Sequence, residues 1–315
     1  MIKFAGAFAG LLMGSSALAA PSSILVDSVK TFPESMTSMR NHTVIVGSIG
    51  AVGAGRIFRA LPGAPAAEPW IPVGANHMLA PFGVLADEVS HTLWVCSNDA
   101  PGGSYHPAPG QAGSALLAFD LSTGQPKGYY AFPEGAQKSL CNDIAIGPDG
   151  SAYITDTRND RMFRLKRGGA TLELWLQRDE LKGGFDGVAF DGPGTLYLGL
   201  ISASKIMKIT LNTDGSAGDV TELSINRPIK GPDGIRPAGR HRYIVGEGGR
   251  LDLMTVENGH AGIVTLVDGM MSAVGGSVSG DTAYYIDGRT QYRLNAKMRD
   301  QDPGPFAVKA VTLPH

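Results

Sequence analysis

The chain has 315 residues, a formal net charge of −2 at pH 7, 43 glycines and 20 prolines. A nearly balanced charge argues against nucleic acid or an anionic membrane surface as a partner. The glycine and proline content is typical of a protein built from hairpins and turns. Beyond its first 20 residues the sequence shows no amphipathic helix of useful length.

The first 20 residues have the pattern of a secretory signal peptide. Lys3 precedes an apolar run from Phe4 to Met13, and small residues follow up to Ala20. The apolar run is too short to span a bilayer, and the small residues favour cleavage over an uncleaved anchor. We therefore predict a signal peptide over 1–20 and a single domain over 21–315. We expect a periplasmic or secreted monomer with no membrane insertion of the mature chain.

One stretch, Cys141 to Asp156, combines two short apolar runs with a Pro-Asp-Gly turn at 148–150. Proline presets φ, aspartate caps the turn and glycine accepts a positive φ, so the stretch predicts a β-hairpin. The same unit follows Asp186 and Asp233, and each copy carries a tyrosine ten or eleven residues after its opening residue.

Weaker copies extend the repeat over most of the chain. The six units open at residues 34, 82, 142, 186, 233 and 274, which gives intervals of 48, 60, 44, 47 and 41 residues. A third apolar run follows each hairpin and a fourth follows most of them, with 291–294 as the third and 306–313 as the fourth in the last unit. A β-hairpin period of this length is typical of propeller blades. The prediction is an all-β, six-bladed β-propeller with four antiparallel strands per blade; the alternative is a generic all-β protein with evenly spaced turns.

The two cysteines, Cys96 and Cys141, fall at the same end of neighbouring predicted blades. An even count in an oxidising compartment favours one disulfide bond between them. Two independent buried thiols are the alternative.

The first strand of each blade lines the channel of a propeller, so the six opening residues should form a ring at one mouth. They are Glu34, Phe82, Asn142, Asp186, Asp233 and Val274. Three converging carboxylates repel one another unless a positive charge lies among them, and no opening residue is Lys or Arg. The hard oxygen donors predict a divalent cation, with Ca²⁺ preferred and Mg²⁺, Mn²⁺ or Zn²⁺ as alternatives. Asn and Asp also cap strand entries, so a purely structural role stays open.

These motifs resemble the senescence marker protein/gluconolactonase family of six-bladed propellers, which are related in fold to paraoxonase and strictosidine synthase. The resemblance spans about residues 30–313 and is carried by short segments in a fixed order: Pro33-Glu34-Ser35, Cys141-Asn142-Asp143-Ile144, Phe185-Asp186-Gly187-Val188 and Gly231-Pro232-Asp233-Gly234-Ile235.

The resemblance implies that Glu34, Asn142 and Asp233 hold the cation, and we add Asp186, which stands where relatives often have Asn. It also implies hydrolysis of a lactone or related ester, in which the metal polarises the carbonyl and activates water. Asp233, or alternatively Asp186, would take the proton from water. Asp143 should face away and orient a neighbour.

Substrate contacts are predicted from what surrounds the ring. Phe82 stands where paraoxonase-like enzymes have a catalytic histidine, so we expect an apolar pocket wall there. The longest interval contains the insertion 98–114, whose bulky side chains are Tyr105 and His106. This insertion is either a lid over the pocket or a disordered surface loop.

Two functions share this ring. The first is a metal-dependent lactonase or esterase. The second is a non-catalytic exported propeller that binds a small molecule or a partner protein and uses the metal as a structural staple. A condensing enzyme similar to strictosidine synthase is disfavoured, because that chemistry needs no metal.

Overall fold

The computed structural model describes residues 22–26, 30–51, 53–100, 103–133 and 135–314. The predicted signal peptide lies outside these residues. None of the described residues belongs to an apolar helix long enough to cross a membrane.

The regular secondary structure of the described chain is almost all β-strand, as the repeat predicts. The strands are β1 (Ser23–Val26), β2 (Pro33–Ser38), β3 (Val44–Ser48), β4 (Arg56–Ala60), β5 (Ala66–Ile71), β6 (Ala80–Asp87), β7 (Thr92–Asn98), β8 (Ser114–Asp120), β9 (Pro126–Ala131), β10 (Cys141–Ile146), β11 (Ala152–Asp156), β12 (Arg161–Leu165), β13 (Glu173–Leu176), β14 (Phe185–Asp191), β15 (Thr195–Leu200), β16 (Lys205–Leu211), β17 (Ala217–Glu222), β18 (Ser224–Ile225), β19 (Pro232–Pro237), β20 (Arg242–Glu247), β21 (Arg250–Glu257), β22 (His260–Val267), β23 (Ala273–Ser279), β24 (Thr282–Asp287) and β25 (Phe306–Thr312). The helical segments are two 3-10 turns, Ala75–His77 and Thr157–Asn159, and the single-turn helix α1 (Gln291–Leu294).

Consecutive strands pair in antiparallel sheets. β6–β9, β10–β13 and β14–β17 each form a four-stranded sheet, and β19–β22 form a fourth, to which β18 adds a short parallel strand. The remaining sheet has eight strands in the order β2-β3-β4-β5-β1-β25-β24-β23. It divides at the parallel β1–β5 pair into two antiparallel halves.

The first strands of these units close a circle. β2 packs against β6, β6 against β10, and so on through β14, β19 and β23, which returns to β2. Apolar clusters fill the spaces between neighbouring units. Because side chains alternate across a strand, Ile154 packs towards the unit before it and Tyr153 towards the unit after it. The repeated tyrosines Tyr153, Tyr197 and Tyr243 are all buried.

The prediction for the last unit is wrong at two points. Residues 291–294 form helix α1 rather than a third strand, and β25 (Phe306–Thr312) takes the third position beside β24. The fourth strand is β1, from the other end of the described chain, which pairs antiparallel with β25. The missing outer strand is thus supplied across the closure of the circle, a long-range pairing that a local repeat cannot reveal.

Two neighbouring residues of strand β1 provide a test of this closure. Val26 is fully buried between the first and last units, whereas Leu25 on the same strand is 46% exposed. We expect Val26→Asp to lower the free energy of unfolding by about 3 kcal/mol or more, because a carboxylate there has no partner. Leu25→Asp, the matched control, should cost about 1 kcal/mol or less. Equal losses in urea denaturation would contradict the closing role of β1.

Candidate functional site

Each of the six opening residues lies where the register of its strand shifts. In every unit the pairing of first and second strand skips one or two residues, and Glu34, Phe82, Asn142, Asp186, Asp233 and Val274 all fall within these irregularities. A β-bulge bends the strand and re-aims the unpaired side chain. The predicted ring is therefore built from one recurring local distortion.

Asn142 connects two neighbouring units at the ring. Its Nδ2 donates to Asp186 Oδ2 at 2.8 Å and to Thr157 Oγ1 at 2.9 Å. The Thr157 hydroxyl in turn donates to the Phe185 carbonyl at 2.7 Å. These bonds fix the amide orientation, and Asn142 Oδ1 accepts no hydrogen bond from the described residues. That oxygen is available to a ligand.

The three ring carboxyl groups perturb one another. Burial raises the pKa of Glu34 well above its usual range, and Asp233 and Asp143 raise it further. Burial likewise raises the pKa of Asp186, which is 3% exposed, and Asp233 and Glu34 add to that effect. Three carboxyl groups thus lie close enough to oppose each other's ionisation.

The rise in the pKa of Asp233 is limited by neighbouring groups. Burial raises its pKa to about 7, while the hydrogen bond from the Gly234 N–H to Oδ1 (2.8 Å) and the charge of Arg236 limit the rise. Asp186 also limits the rise in the pKa of Asp233.

Asp143 forms a buried ion pair with Arg236. The guanidinium donates to both carboxylate oxygens, at 2.6 and 2.5 Å, and the backbone N–H groups of Ile144 and Val188 donate to them at 2.9 Å. Asp143 thereby connects three units, and its carboxylate is occupied by these donors while its charge raises the pKa of Glu34, Asp186 and Asp233. The expectation that Asp143 orients neighbours agrees with these contacts.

Glycine follows four of the six ring residues because neighbouring first strands approach closely there. A Cβ on Gly83 would overlap the Asn142 carbonyl, and one on Gly187 would overlap the Asp233 carbonyl. The Asp-Gly pairs of the sequence are therefore packing requirements of the ring as well as features of strand entry.

The two cysteines form a disulfide bond beside the ring. Cys141 directly precedes Asn142, and its backbone N–H and carbonyl both bond the side chain of Asn98, at 2.9 and 2.7 Å. Disulfide and amide together hold the Asn142 strand against the preceding unit.

The predicted substrate contacts lie in different surroundings. Phe82 is 8% exposed and packs in the apolar cluster around the disulfide. His106 Nδ1 lies 2.9 Å from Asp99 Oδ1, and the Tyr105 hydroxyl lies against Gly74. Gln111 of the same insertion donates to the His77 carbonyl at 2.7 Å. The described part of 98–114 thus folds back onto neighbouring loops, and the roles of these side chains in substrate binding stay predictions.

The ring residues carry the oxygen donors and the negative charge that a hard cation prefers, but they are not arranged as a set of metal ligands. Glu34, Asp143, Asp186 and Asp233 carry four acidic groups against the one cationic side chain of Arg236, so a divalent ion would relieve the repulsion. Among the described residues, however, no three His, Cys, Asp or Glu side chains already stand in a metal-binding arrangement. A cation would therefore need a ligand beyond these side chains, and the Asn142 oxygen is available for that role.

Sequence reasoning missed Arg236 and Thr157. Arg236 is a buried cation inside an innermost strand, three residues after Asp233, and its position in an apolar segment was the available signal. Thr157 lies in the 3-10 turn after β11, and no local motif distinguishes it.

Comparisons with known proteins identify the fold. No family model matches the chain, and no curated protein matches it by sequence. Solved structures do match over nearly the full length. A candidate gluconolactonase has 16% identity and a TM-score of 0.65, with 95% of this chain and 96% of that chain covered.

Two further structures illustrate the range of similar proteins. A gluconolactonase from Xanthomonas campestris has 14% identity and a TM-score of 0.62, covering 93% of this chain and 99% of its own. Virginiamycin B lyase from Staphylococcus aureus has 14% identity and a TM-score of 0.59, covering 93% and 98%. The predicted likeness to gluconolactonase-like propellers is confirmed at the level of the fold, and the protein is an all-β propeller.

The buried ion pair generates one prediction. We expect Arg236→Met to lower the free energy of unfolding by about 3–5 kcal/mol, because it leaves Asp143 buried without its cation. Arg250→Met is the control, since the Arg250–Asp268 pair is largely exposed and its loss should leave the free energy of unfolding nearly unchanged. Urea denaturation of both variants measures the difference. Comparable losses would show that the Asp143–Arg236 pair does not hold the ring.

The raised carboxyl pKa values generate a second prediction. A carboxyl group that binds its proton more tightly in the folded protein stabilises the fold at low pH. This contribution is lost as pH rises from the pKa of the unfolded state, about 4, through the pKa of the folded state. In EDTA the melting temperature should therefore fall between about pH 4 and about pH 7, the value for Asp233. Asp233→Asn should weaken this fall, whereas Asp268→Asn on the surface should not. A melting temperature that rises over the same interval would contradict the ring electrostatics.

Proposed function

We propose that the protein is a divalent-metal-dependent hydrolase of a lactone or related ester, with its active site at the carboxylate ring. The observation that carries this proposal is the grouping of Glu34, Asp186 and Asp233 with the amide of Asn142 at equivalent bulges of their units. Their raised pKa values support a site that is incomplete without a cation.

Glu34, Asn142, Asp186 and Asp233 would hold the ion. An all-oxygen donor set favours Ca²⁺, with Mg²⁺, Mn²⁺ or Zn²⁺ as alternatives. When bound, the ion would polarise the substrate carbonyl and stabilise the oxyanion that forms there.

The chain's own groups supply the proton transfer and the positioning. Asp233 is the proposed base: its Oδ1 accepts from the Gly234 N–H, which leaves Oδ2 to take a proton from the attacking water. Asp186, the alternative base, is held by Asn142 at 2.8 Å. Asp143 and Arg236 position the strands that carry both residues.

The substrate would contact an apolar wall on one side of the ring and polar side chains on the other. Phe82 is the proposed apolar wall, and Tyr105 and His106 contribute from the 98–114 insertion. The names of the similar gluconolactonases support a lactone as the substrate class. One of the similar structures is a lyase, and the fold alone therefore does not determine the reaction.

We further infer that the propeller has six blades and that the protein is exported. The count follows from the closed circle of first strands and from dividing the eight-stranded sheet at β1–β5. Export and a monomeric state rest on the sequence pattern alone. The disulfide supports an oxidising compartment.

Hydrolysis assays test the function directly. We expect turnover of a sugar lactone with added Ca²⁺ and its loss in EDTA. Glu34→Gln and Asp233→Asn should each lower kcat/KM by about a hundredfold or more, because the first removes a charge that would hold the ion and the second removes the proposed base. Asp268→Asn is the surface control and should leave kcat/KM unchanged.

Two outcomes would contradict the hydrolase. One is hydrolysis that persists unchanged in EDTA and in both ring variants. The other is no turnover of any lactone or ester by metal-loaded protein, which would favour the non-catalytic binding propeller.

A further inference from the structure

A pocket lies beside the ring, between the returning part of the 98–114 insertion and the loop that leads into β10. Its volume is about 450 Å³. Its lining includes Asp99, Gln111, Phe132, Lys138, Ser139 and Arg158. Of the charged groups in this lining, two are cationic and one is anionic.

The anionic group of the pocket is already engaged. Asp99 Oδ2 lies 3.3 Å from Lys138 Nζ, and Asp99 Oδ1 lies 2.9 Å from His106 Nδ1. Asp99 therefore offsets the charge of Lys138 and orients the imidazole at the pocket edge.

Arg158 differs from the buried arginines around it. Arg161 and Arg236 each contact a carboxylate, at 2.9 and 2.5 Å. Among the described residues no carboxylate lies within ion-pair distance of Arg158, whose guanidinium makes one long hydrogen bond, 3.4 Å to the Lys138 carbonyl. A half-buried guanidinium with spare donors, facing a pocket, matches the geometry of a carboxylate.

The pocket is connected to the ring by the chain itself. Arg158 directly follows Thr157, whose hydroxyl accepts from Asn142 at 2.9 Å. Lys138 and Ser139 precede Asn142 by three or four residues on the other wall. Both walls of the pocket are thus formed by segments that lead directly to Asn142 or to its hydrogen-bond partner Thr157.

We propose that this pocket is a subsite for a carboxylate group on the substrate, held by Arg158 with Lys138 at its edge. The substrate class is then a lactone or ester that carries a second, anionic carboxylate substituent. The cationic subsite would also counter the repulsion that such a substrate meets at the acidic ring. That the bound carboxylate belongs to a substrate rests on the proposed function, but carboxylate binding by the pocket can be measured without turnover.

The binding test uses adipate, a small dicarboxylate, and its neutral analogue adipamide. Isothermal titration of the full-length protein should give saturable adipate binding and none with adipamide. Arg158→Gln should weaken adipate binding by about tenfold or more, and Lys138→Gln, an exposed position, by a smaller factor. Arg167→Gln, in the same unit but outside the pocket, is the matched control. Thermal melts verify that each variant is folded.

The kinetic test compares a lactone that carries a free carboxylate with its methyl ester. We expect Arg158→Gln to raise KM for the free acid by about tenfold while kcat stays nearly constant and the methyl ester is unaffected. Absent adipate binding, equal binding by Arg158→Gln, or equal binding of adipamide would overturn the subsite. Hydrolysis without any preference for the free acid would also overturn it while leaving the hydrolase intact. Arg158-dependent adipate binding without lactone turnover would support the carboxylate-binding pocket and contradict the hydrolase.

Discussion

Three partly or fully buried carboxyl groups converge at one end of the circle of first strands, and their mutual repulsion is the constraint on which the site depends. Burial raises the pKa of Glu34, Asp186 and Asp233, the charge of Asp233 raises those of the other two further, and Arg236 is the cation that the described residues place against them. Arg236 is already paired with Asp143, so its charge is largely used. The rest must be relieved by protons or by a bound cation, and that choice links stability, pH and function.

The fold brings these groups together through a recurring local device. A register irregularity in each first strand turns the opening residue out of the ladder, and the glycines that follow let neighbouring strands approach. The Asn142–Asp186 bond and the Asp143–Val188 bond then join one unit to the next. Ring geometry is thus a property of contacts between units, and a disturbance in one unit reaches the carboxylates of its neighbour.

The sequence predicts the repeat well because each unit carries its own turn chemistry and apolar alternation. The hairpins opening at Asn142, Asp186 and Asp233 appear where expected. Prediction fails where the determinant is not local. Strand β1 completes the last unit across the whole chain, and α1 replaces an expected strand beside it. Arg236 was missed for the same reason, since its partner Asp143 is 93 residues away.

The same limit applies to the pocket beside the ring. Its walls come from the insertion after Asn98 and from the loop before Cys141. Neither segment contains a sequence motif that indicates ligand binding. Only the folded chain reveals that Asp99 is engaged by Lys138 and His106 while Arg158 lies without an acidic partner in the described structure. The ring is therefore predictable from the repeat, whereas the neighbouring pocket is not.

Metal stoichiometry is the most direct test of the central claim, that the carboxylate ring is completed by a cation. Elemental analysis of the purified protein after equilibration with Ca²⁺ should give about one ion per chain, with a melting temperature that falls in EDTA and recovers when Ca²⁺ is restored. Asp233→Ala should lose the ion. No stoichiometric Ca²⁺, Mg²⁺, Mn²⁺ or Zn²⁺, together with a melting temperature indifferent to EDTA, would contradict the account.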